Sequence, residues 1–420
     1  MSETANSDSG HPHLLNNTDT KVKPPITTNS VRNFHPDTIS SDARSTRIVV
    51  HARFPALVES FLKHKREHGS WCERKLYGTP ETFTWRDETR RLVEKRPLVF
   101  MGSMDHTVLR NGWTLGSVNC CVEWDRNGTE DQALNQHLEI LEYLSYDEIM
   151  LGSLVGVSGP SYFINDGNRF NRGKPGQLGT FEDRGIIVGL VGARFERERR
   201  MDSTHILTSS DETSDPYQQH PELSSTFQNF FAGRPRSISG TNFDVDMYKA
   251  RIRITTDILL LEANTRAKEA GRKAWVYVVG LGLGVWQHHP KQAEWYIEAF
   301  RTAMQELGLT NVRTAEFAYI SNLSQSTIDS ITTTGGDKGI RVIFSKRNPT
   351  AKLQHGDEEQ LLILSYAWDG NAFPGNEYWM GSLSGSGDPA AACMSTIGDL
   401  HNPLMNPDFL GRIQVAGDES

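Results

Sequence analysis

The feature that most constrains this chain is an alternation that starts near residue 245 and runs to residue 366. A helical pattern extends from about Val245 to Ala270 and stops at Gly271, a residue type suited to the left-handed turn that ends a helix. A strand is predicted over Ala274–Val279, followed by a glycine loop and then a helix with Pro290 in its first turn and Gly308 at its end. Further strands are predicted near Ala315–Ile320, Ile340–Phe344 and Leu361–Tyr366, and a last helix after Asp388-Pro389. Such a chain buries its apolar faces as an α/β layer fold, with helices packed on a mostly parallel or mixed sheet.

The first half is less regular. Residues 1–45 are rich in Ser, Thr, Asn and Asp and read as a disordered tail, with order beginning near Ile48. Phe54, Leu57, Val58, Phe61 and Leu62 recur at helical spacing and lead into the basic run Lys63–Arg66, read as a solvated helix face. Leu134, Leu138, Leu141 and Leu144 predict a second helix. Residues 165–183 read as loop, Ile186–Val191 as an apolar strand, and 207–243 as a long surface excursion. Arg194, Arg197, Arg199 and Arg200, interleaved with Glu196 and Glu198, read as a solvated edge. The division that follows is a tail (1–45), a partly helical region packed on the core (46–155), the core (156–412) and a flexible C-terminus (413–420).

Composition removes several function classes. With 44 Lys+Arg against 52 Asp+Glu, the formal net charge is −8, which argues against a protein whose main business is gripping nucleic acid, because such binding needs a basic face. The most apolar stretch, Trp275–Trp286, is far short of the ~20 residues a membrane helix needs. The opening residues, MSETANSDSG, lack the basic and apolar regions of a secretory signal, so the expected location is cytoplasmic, with the nucleus open by diffusion. Cys72, Cys120, Cys121 and Cys393 include no CxxC, and among the scattered histidines His288-His289 and His11/His13 make no set at recognised ligand spacing, so no metal is expected.

Two constellations carry chemistry. In Val278-Val279-Gly280-Leu281-Gly282-Leu283-Gly284-Val285-Trp286, alternate glycines turn the chain between a buried strand and a helix. Bare N–H groups there, with the positive end of a helix dipole, suit a diphosphate; the alternative is a tight strand-to-helix turn. In the second, the apolar strand LLILSYA runs into Asp369, Asn371, Asn376 and Glu377 among aromatics, and then into Ser384-Gly385-Ser386-Gly387-Asp388-Pro389 ahead of a small-residue helix. Polar groups at the carboxyl end of a strand lie where open α/β sheets bind ligands. Each also has a structural reading: Asp388 as an N-cap, Asp369-Gly370-Asn371 as a turn, Glu377 as a surface residue. Asp166 follows the aromatics of GPSYFIN, and an Asx turn with Gly167 is its structural reading.

The segments VGVSGPSYFINDGN, GIIVGLVGARFE, VVGLGLGVWQ, AWDGNAFPGNEYW and SGDPAAACMS together resemble the MavL-type group of macrodomain-like ADP-ribosylhydrolases over roughly residues 95–410. The resemblance implies a three-layer α/β/α macrodomain-like core with a mixed sheet in permuted strand order, plus an N-terminal helical extension. It implies removal of mono-ADP-ribose from protein arginine side chains by N-glycosidic hydrolysis, without cofactor or metal. Its acidic catalytic positions fall on Asp369, Glu377 and Asp388. Its ADP-ribose contacts fall on Asp166 (toward the adenine amino group), Gly282, Gly284, Val285, Trp286, Asn371, Asn376, Ser384, Gly385, Ser386 and Gly387, with Trp286, Tyr378 or Trp379 available for stacking. The implied partners are ADP-ribose and arginine-linked ADP-ribosylated proteins, with no nucleic acid and no membrane. The Gly-Gly-Gly and Gln-Glu-Glu signatures of polymer-cleaving relatives are missing, so polymer cleavage is not implied. Two rivals stay open: a non-catalytic ADP-ribose reader, and an NAD(P)-dependent oxidoreductase, for which the GxGxG lacks the third fingerprint glycine.

Overall fold

The computed structural model describes residues 23–116, 120–207, 215–232, 242–354, 356–383 and 393–418. Its strands are β1 (Arg47–Val50), β2 (Val99–Met101), β3 (His106–Val108), β4 (Val155–Tyr162), β5 (Arg184–Leu190), β6 (Ala274–Val278), β7 (Val312–Ala318), β8 (Arg341–Ser345), β9 (Leu361–Ala367) and β10 (Ile413–Val415). Eight of them form one sheet in the order β10-β1-β4-β5-β9-β6-β7-β8, while β2 and β3 pair separately. Within the sheet only β4 is antiparallel to its neighbours. Val188, Val276, Ala315 and Ile363 are fully buried, as central strands covered on both faces require.

The helices are α1 (Pro36–Ser45), α2 (Phe54–His68), α3 (Trp71–Tyr77), α4 (Trp85–Glu94), α5 (Cys120–Arg126), α6 (Tyr146–Gly152), α7 (Asp202–Ile206), α8 (Pro221–Ala232), α9 (Val245–Glu269), α10 (Gln292–Glu306), α11 (Gln325–Asp337) and α12 (Asn376–Trp379). The alternation predicted in the second half holds. Asp244 caps α9 by accepting from the Met247 N–H at 3.0 Å, and Gly271, at φ +61°, follows its end. Helix α9 lies across the sheet, and α10 and α11 extend the same layer. The opposite face carries irregular chain. Ser158 in β4 meets Arg266 of α9, whereas a methyl on the next residue, Gly159, would meet His401. Phe163 and residues 346–352 pack on that second face, where Phe181 bridges to Ala351 and the Tyr277 hydroxyl donates to the Arg347 carbonyl.

Several expectations are corrected. Residues 36–45 are not tail but α1: Ile39 and Ala43 pack with Val31 and Leu400, and Asp42 pairs with Arg184 at 2.6 Å. The polar composition hid an amphipathic helix whose partners lie far along the chain; residues 1–22 lie outside the described residues. Region 46–155 is not merely packed on the core, because β1 sits inside the sheet between β10 and β4. The C-terminus is not flexible from 413 onward, since β10 pairs with Ile48–Val50. Leu134–Leu144 form no long helix. Glu123 draws in the N–H groups of His137 and Leu138 at 2.9 and 3.0 Å, so these donors are lost to helical bonding. The excursion 207–243 contains α8, which buries Leu223, Phe227 and Phe231. Helix α10 begins at Gln292, leaving Pro290 outside it. Lys65 is not solvated but buried between Glu73 and Asp147, each at 2.6 Å. Nor is the arginine run a solvated edge: Arg194 and Arg200 are buried, and Asp105, Asp125 and Asp215 pair with this run.

Candidate functional site

The chain passes from β5 through β6 and β7 to β8 on the helical side, then returns from the β8 edge over the other face to the central strand β9. Connections leaving β9 and β6 therefore diverge, and neighbouring strands with diverging connections open a crevice at their carboxyl ends. A cavity of about 600 Å³ lies there. Its walls include Ser365 and Ala367 of β9, Val279, Gly280, Leu283 and Gly284 after β6, Tyr319 and Asn322 after β7, and Asn168, Phe170 and Asn348 from the second face.

The loop after β6 is pinned at three points. Its Val279 N–H donates to Ser365 Oγ (3.0 Å), and its Val279 carbonyl accepts from the Tyr296 hydroxyl (2.8 Å). Gln292 donates to the Gly282 carbonyl (3.2 Å) and accepts from the His288 N–H (2.8 Å). Gly282 has φ +75°, and a methyl on Gly192 would stand 2.5 Å from the Gly282 nitrogen. Both positions require glycine, one for its dihedral and one for close approach. Gly284 lines the cavity with open space where a side chain would go. Val285 is 76% exposed, whereas Trp286 is buried, 6.0 Å from the Arg194 guanidinium.

An aromatic rim faces this loop. Phe170 and Tyr319, 76% and 56% exposed, both line the cavity. Tyr319 and Asn322 have positive φ (56° and 61°), uncommon for non-glycine residues and a recurrent mark of functional loops. The Tyr319 hydroxyl donates to Asn348 Oδ1 (3.2 Å), and Asn348 Nδ2 donates to Asp166 Oδ2 (2.8 Å). Asp166 Oδ1 accepts from the Asn168 N–H (3.1 Å) and from Asn171 Nδ2 (2.6 Å). The Asx turn read as the structural alternative is thus formed, with Asp166 behind the rim.

Past Ala367 the chain enters the acidic segment. Arg96 is buried, lies 4.1 Å from the Trp368 ring and donates to the Asp369 carbonyl at 3.2 Å. Burial pushes its guanidinium down to about 9, against the favourable charge of Asp369, so it remains a cation at neutral pH. The charge of Asp369 also acts on Arg194, which is held by Asp105 and Glu196 at 3.0 Å each. Asn371 is fully buried, and its side-chain amide has no hydrogen-bond partner among the described residues. Asn376, by contrast, is spent on β2: it accepts from the Phe100 N–H (2.8 Å) and donates to the Phe100 carbonyl (3.0 Å). Glu377 follows in α12 with its Oε2 buried. Tyr378 is buried and donates to Asn29 Oδ1 (3.3 Å), while Trp379 is half-buried and donates to the Pro374 carbonyl (3.0 Å). Ser384, Gly385, Ser386, Gly387 and Asp388 lie outside the described residues, as does the helix start expected at Pro389.

A family model described as ADP-ribosylhydrolase MavL-like matches residues 21–232 and 217–417. The chain belongs to the MavL-like family. Two Drosophila melanogaster proteins named ADP-ribosylarginine hydrolase are similar to this MavL-like chain over most of its length. CG3568 is 34% identical over 409 residues, covering 89% of this chain and 78% of the relative. CG2909 is 32% identical over 418 residues, covering 91% and 81%.

Of the residues predicted for the site, this MavL-like fold brings Gly284 to the cavity wall, Gly282 and Asp166 to positions that brace it, and Asp369 to the segment just beyond it. Asn376 is corrected to a structural clamp, and Trp286 is buried rather than open for stacking. Sequence reasoning missed Phe170, Tyr319 and Asn348, and also Gln292, Arg96 and Arg194. Phe170 carried a usable signal, being an aromatic inside the polar, glycine-bearing run NDGNRFNRG. Arg194 did not, because its acidic partner Asp105 is remote in sequence.

Proposed function

We propose that this MavL-like protein hydrolyses the N-glycosidic bond between ADP-ribose and protein arginine side chains. The observation that carries the reading is its likeness, over about nine-tenths of the chain, to two proteins named ADP-ribosylarginine hydrolase. The cavity at the carboxyl ends of β9, β6 and β7 supports it by offering a glycine loop and an aromatic rim, and Asp369 follows two residues after its wall residue Ala367. In this reading the core is macrodomain-like and acts in the cytoplasm or nucleus.

The diphosphate takes the backbone N–H groups of Gly280 and Gly284, and the adenine lies against Phe170 and against Tyr319, whose hydroxyl Asp166 steadies through Asn348. The distal ribose extends toward Asp369, and Asn371 offers its unused amide to a sugar hydroxyl. Breaking the C1″–N bond leaves positive charge on the ribose ring and electrons on the guanidine nitrogen. A carboxylate among Asp369, Glu377 and Asp388 stabilises that charge and takes a proton from water as its oxygen bonds to C1″, while another protonates the leaving guanidine. The products are ADP-ribose and an unmodified arginine.

The test incubates the protein separately with arginine-, serine- and glutamate-linked ADP-ribosylated substrates and measures free ADP-ribose. Release from the arginine substrate alone is expected. Binding of ADP-ribose without release from any of the three would make the protein a reader instead.

A further inference from the structure

Away from the cavity, α2 carries His64 and His68 one helical turn apart, so both project from one face. The N-terminal end of α8 brings His220 and Glu222 against that face. The imidazole rings lie 4.7 Å (His64–His220), 5.1 Å (His64–His68) and 5.4 Å (His68–His220) apart between centroids. Ligand atoms of His64, His220 and Glu222 all fall within 4.8 Å of one another. Glu222 Oε2 stands 3.6 Å from His64 Nδ1 and 3.4 Å from His68 Nε2.

The two separations from Glu222 match a tetrahedral metal centre, and His68 stands outside the group of ligand atoms that fall within 4.8 Å of one another. Ligand bonds of about 2.0–2.1 Å at tetrahedral angles place neighbouring ligand atoms about 3.3 Å apart. The donor set is also appropriate, since imidazoles and one carboxylate suit zinc and its neighbours in the first transition row rather than calcium or magnesium. A metal requires neutral imidazoles. Lys65 adds no net cation to the neighbourhood, because Glu73 and Asp147 neutralise it at 2.6 Å each. A plain cluster of protonated histidines on one carboxylate would instead place like charges at these ring distances.

We propose that His64, His220 and Glu222, with His68 beside them, form a zinc-class divalent cation site that fastens α8 to α2. The site is separate from the hydrolytic segment, and its success or failure leaves the proposed reaction untouched.

The experiment uses the full chain after dialysis against a chelator. Calorimetric titration with zinc chloride should show one zinc bound per chain, and cobalt chloride should give the intense visible absorption of tetrahedral cobalt. His220→Ala and Glu222→Gln alter exposed residues and should keep the wild-type far-ultraviolet circular dichroism. Each should weaken zinc binding by at least about tenfold, as loss of a partner in a metal site does. Zinc should raise the melting temperature of the wild type and leave that of His220→Ala unmoved. Absence of zinc uptake by the wild-type chain overturns the site, as does the weak absorption of octahedral cobalt, or undiminished binding in both variants.

Discussion

Asn371 and Asn376 carry the same side chain toward opposite ends. Asn376 satisfies both backbone groups of Phe100, so Asn376→Ala would leave a buried donor and acceptor bare and cost about 1–3 kcal/mol, read as a lower urea midpoint. Asn371 has no partner among the described residues, so Asn371→Ala should leave that midpoint nearly unchanged while lowering the rate of ADP-ribose release. Asp369→Asn preserves shape and removes a charge. It should cut turnover on arginine-linked substrate by about 10²–10⁴-fold, the range of a lost acid or base, while ADP-ribose still binds in calorimetry. Phe170 is 76% exposed, so Phe170→Ala should cost the fold little. Its effect belongs to binding: a base-stacking ring contributes about 1–3 kcal/mol, so affinity for ADP-ribose should fall by roughly five- to 150-fold.

Among the elements, the glycine loop after β6 shows how much the sequence revealed. A strand, alternate glycines and a helix were legible because each obeys local rules of burial, dihedral freedom and periodicity. What stays hidden in the sequence is the bracing of the loop, because Gln292, Tyr296 and Ser365 act through contacts that only the packed fold creates. The same holds for α1, whose polar composition conceals packing on Leu400 and an ion pair with Arg184. Asp369 could be read as the end of an apolar strand, but nothing local indicated that Arg96 and Arg194 would stand beside it. Gly192→Ala isolates the close approach of two loops without touching any proposed ligand group. A methyl 2.5 Å from the Gly282 nitrogen must displace the glycine loop, so ADP-ribose affinity should drop in calorimetry while the acidic segment keeps its sequence.

Across the whole molecule, the first strand, β1, pairs with the last, β10, at one edge of the sheet, so segments remote in sequence close one structure. One buried imidazole gives it a pH dependence. His401 accepts or donates at Nδ1 with the Tyr366 hydroxyl at 3.0 Å, and burial, followed by the charge of Arg266, pushes it down to about 3. An unfolded imidazole takes up its proton near about 6.5, so between these values the unfolded chain binds a proton that the fold excludes. The contribution of His401 therefore falls as pH drops from about 6.5 toward 3; the lowered carboxyls of Asp147 and Glu262 act in the same direction at the acid end, and the carboxyls of Glu88 and Asp202, raised by burial, act against it. The urea midpoint should be higher at about pH 7.5 than at about pH 5, and the difference should shrink in His401→Gln. The central claim concerns where the ligand sits, and a crystal structure of the Asp369→Asn protein with ADP-ribose tests it most directly. The diphosphate should rest on residues 280–284, the base beside Phe170 and Tyr319, and the distal ribose beside residue 369. Density for the ligand anywhere other than the crevice between β9 and β6, or with its distal ribose turned away from residue 369, would contradict it.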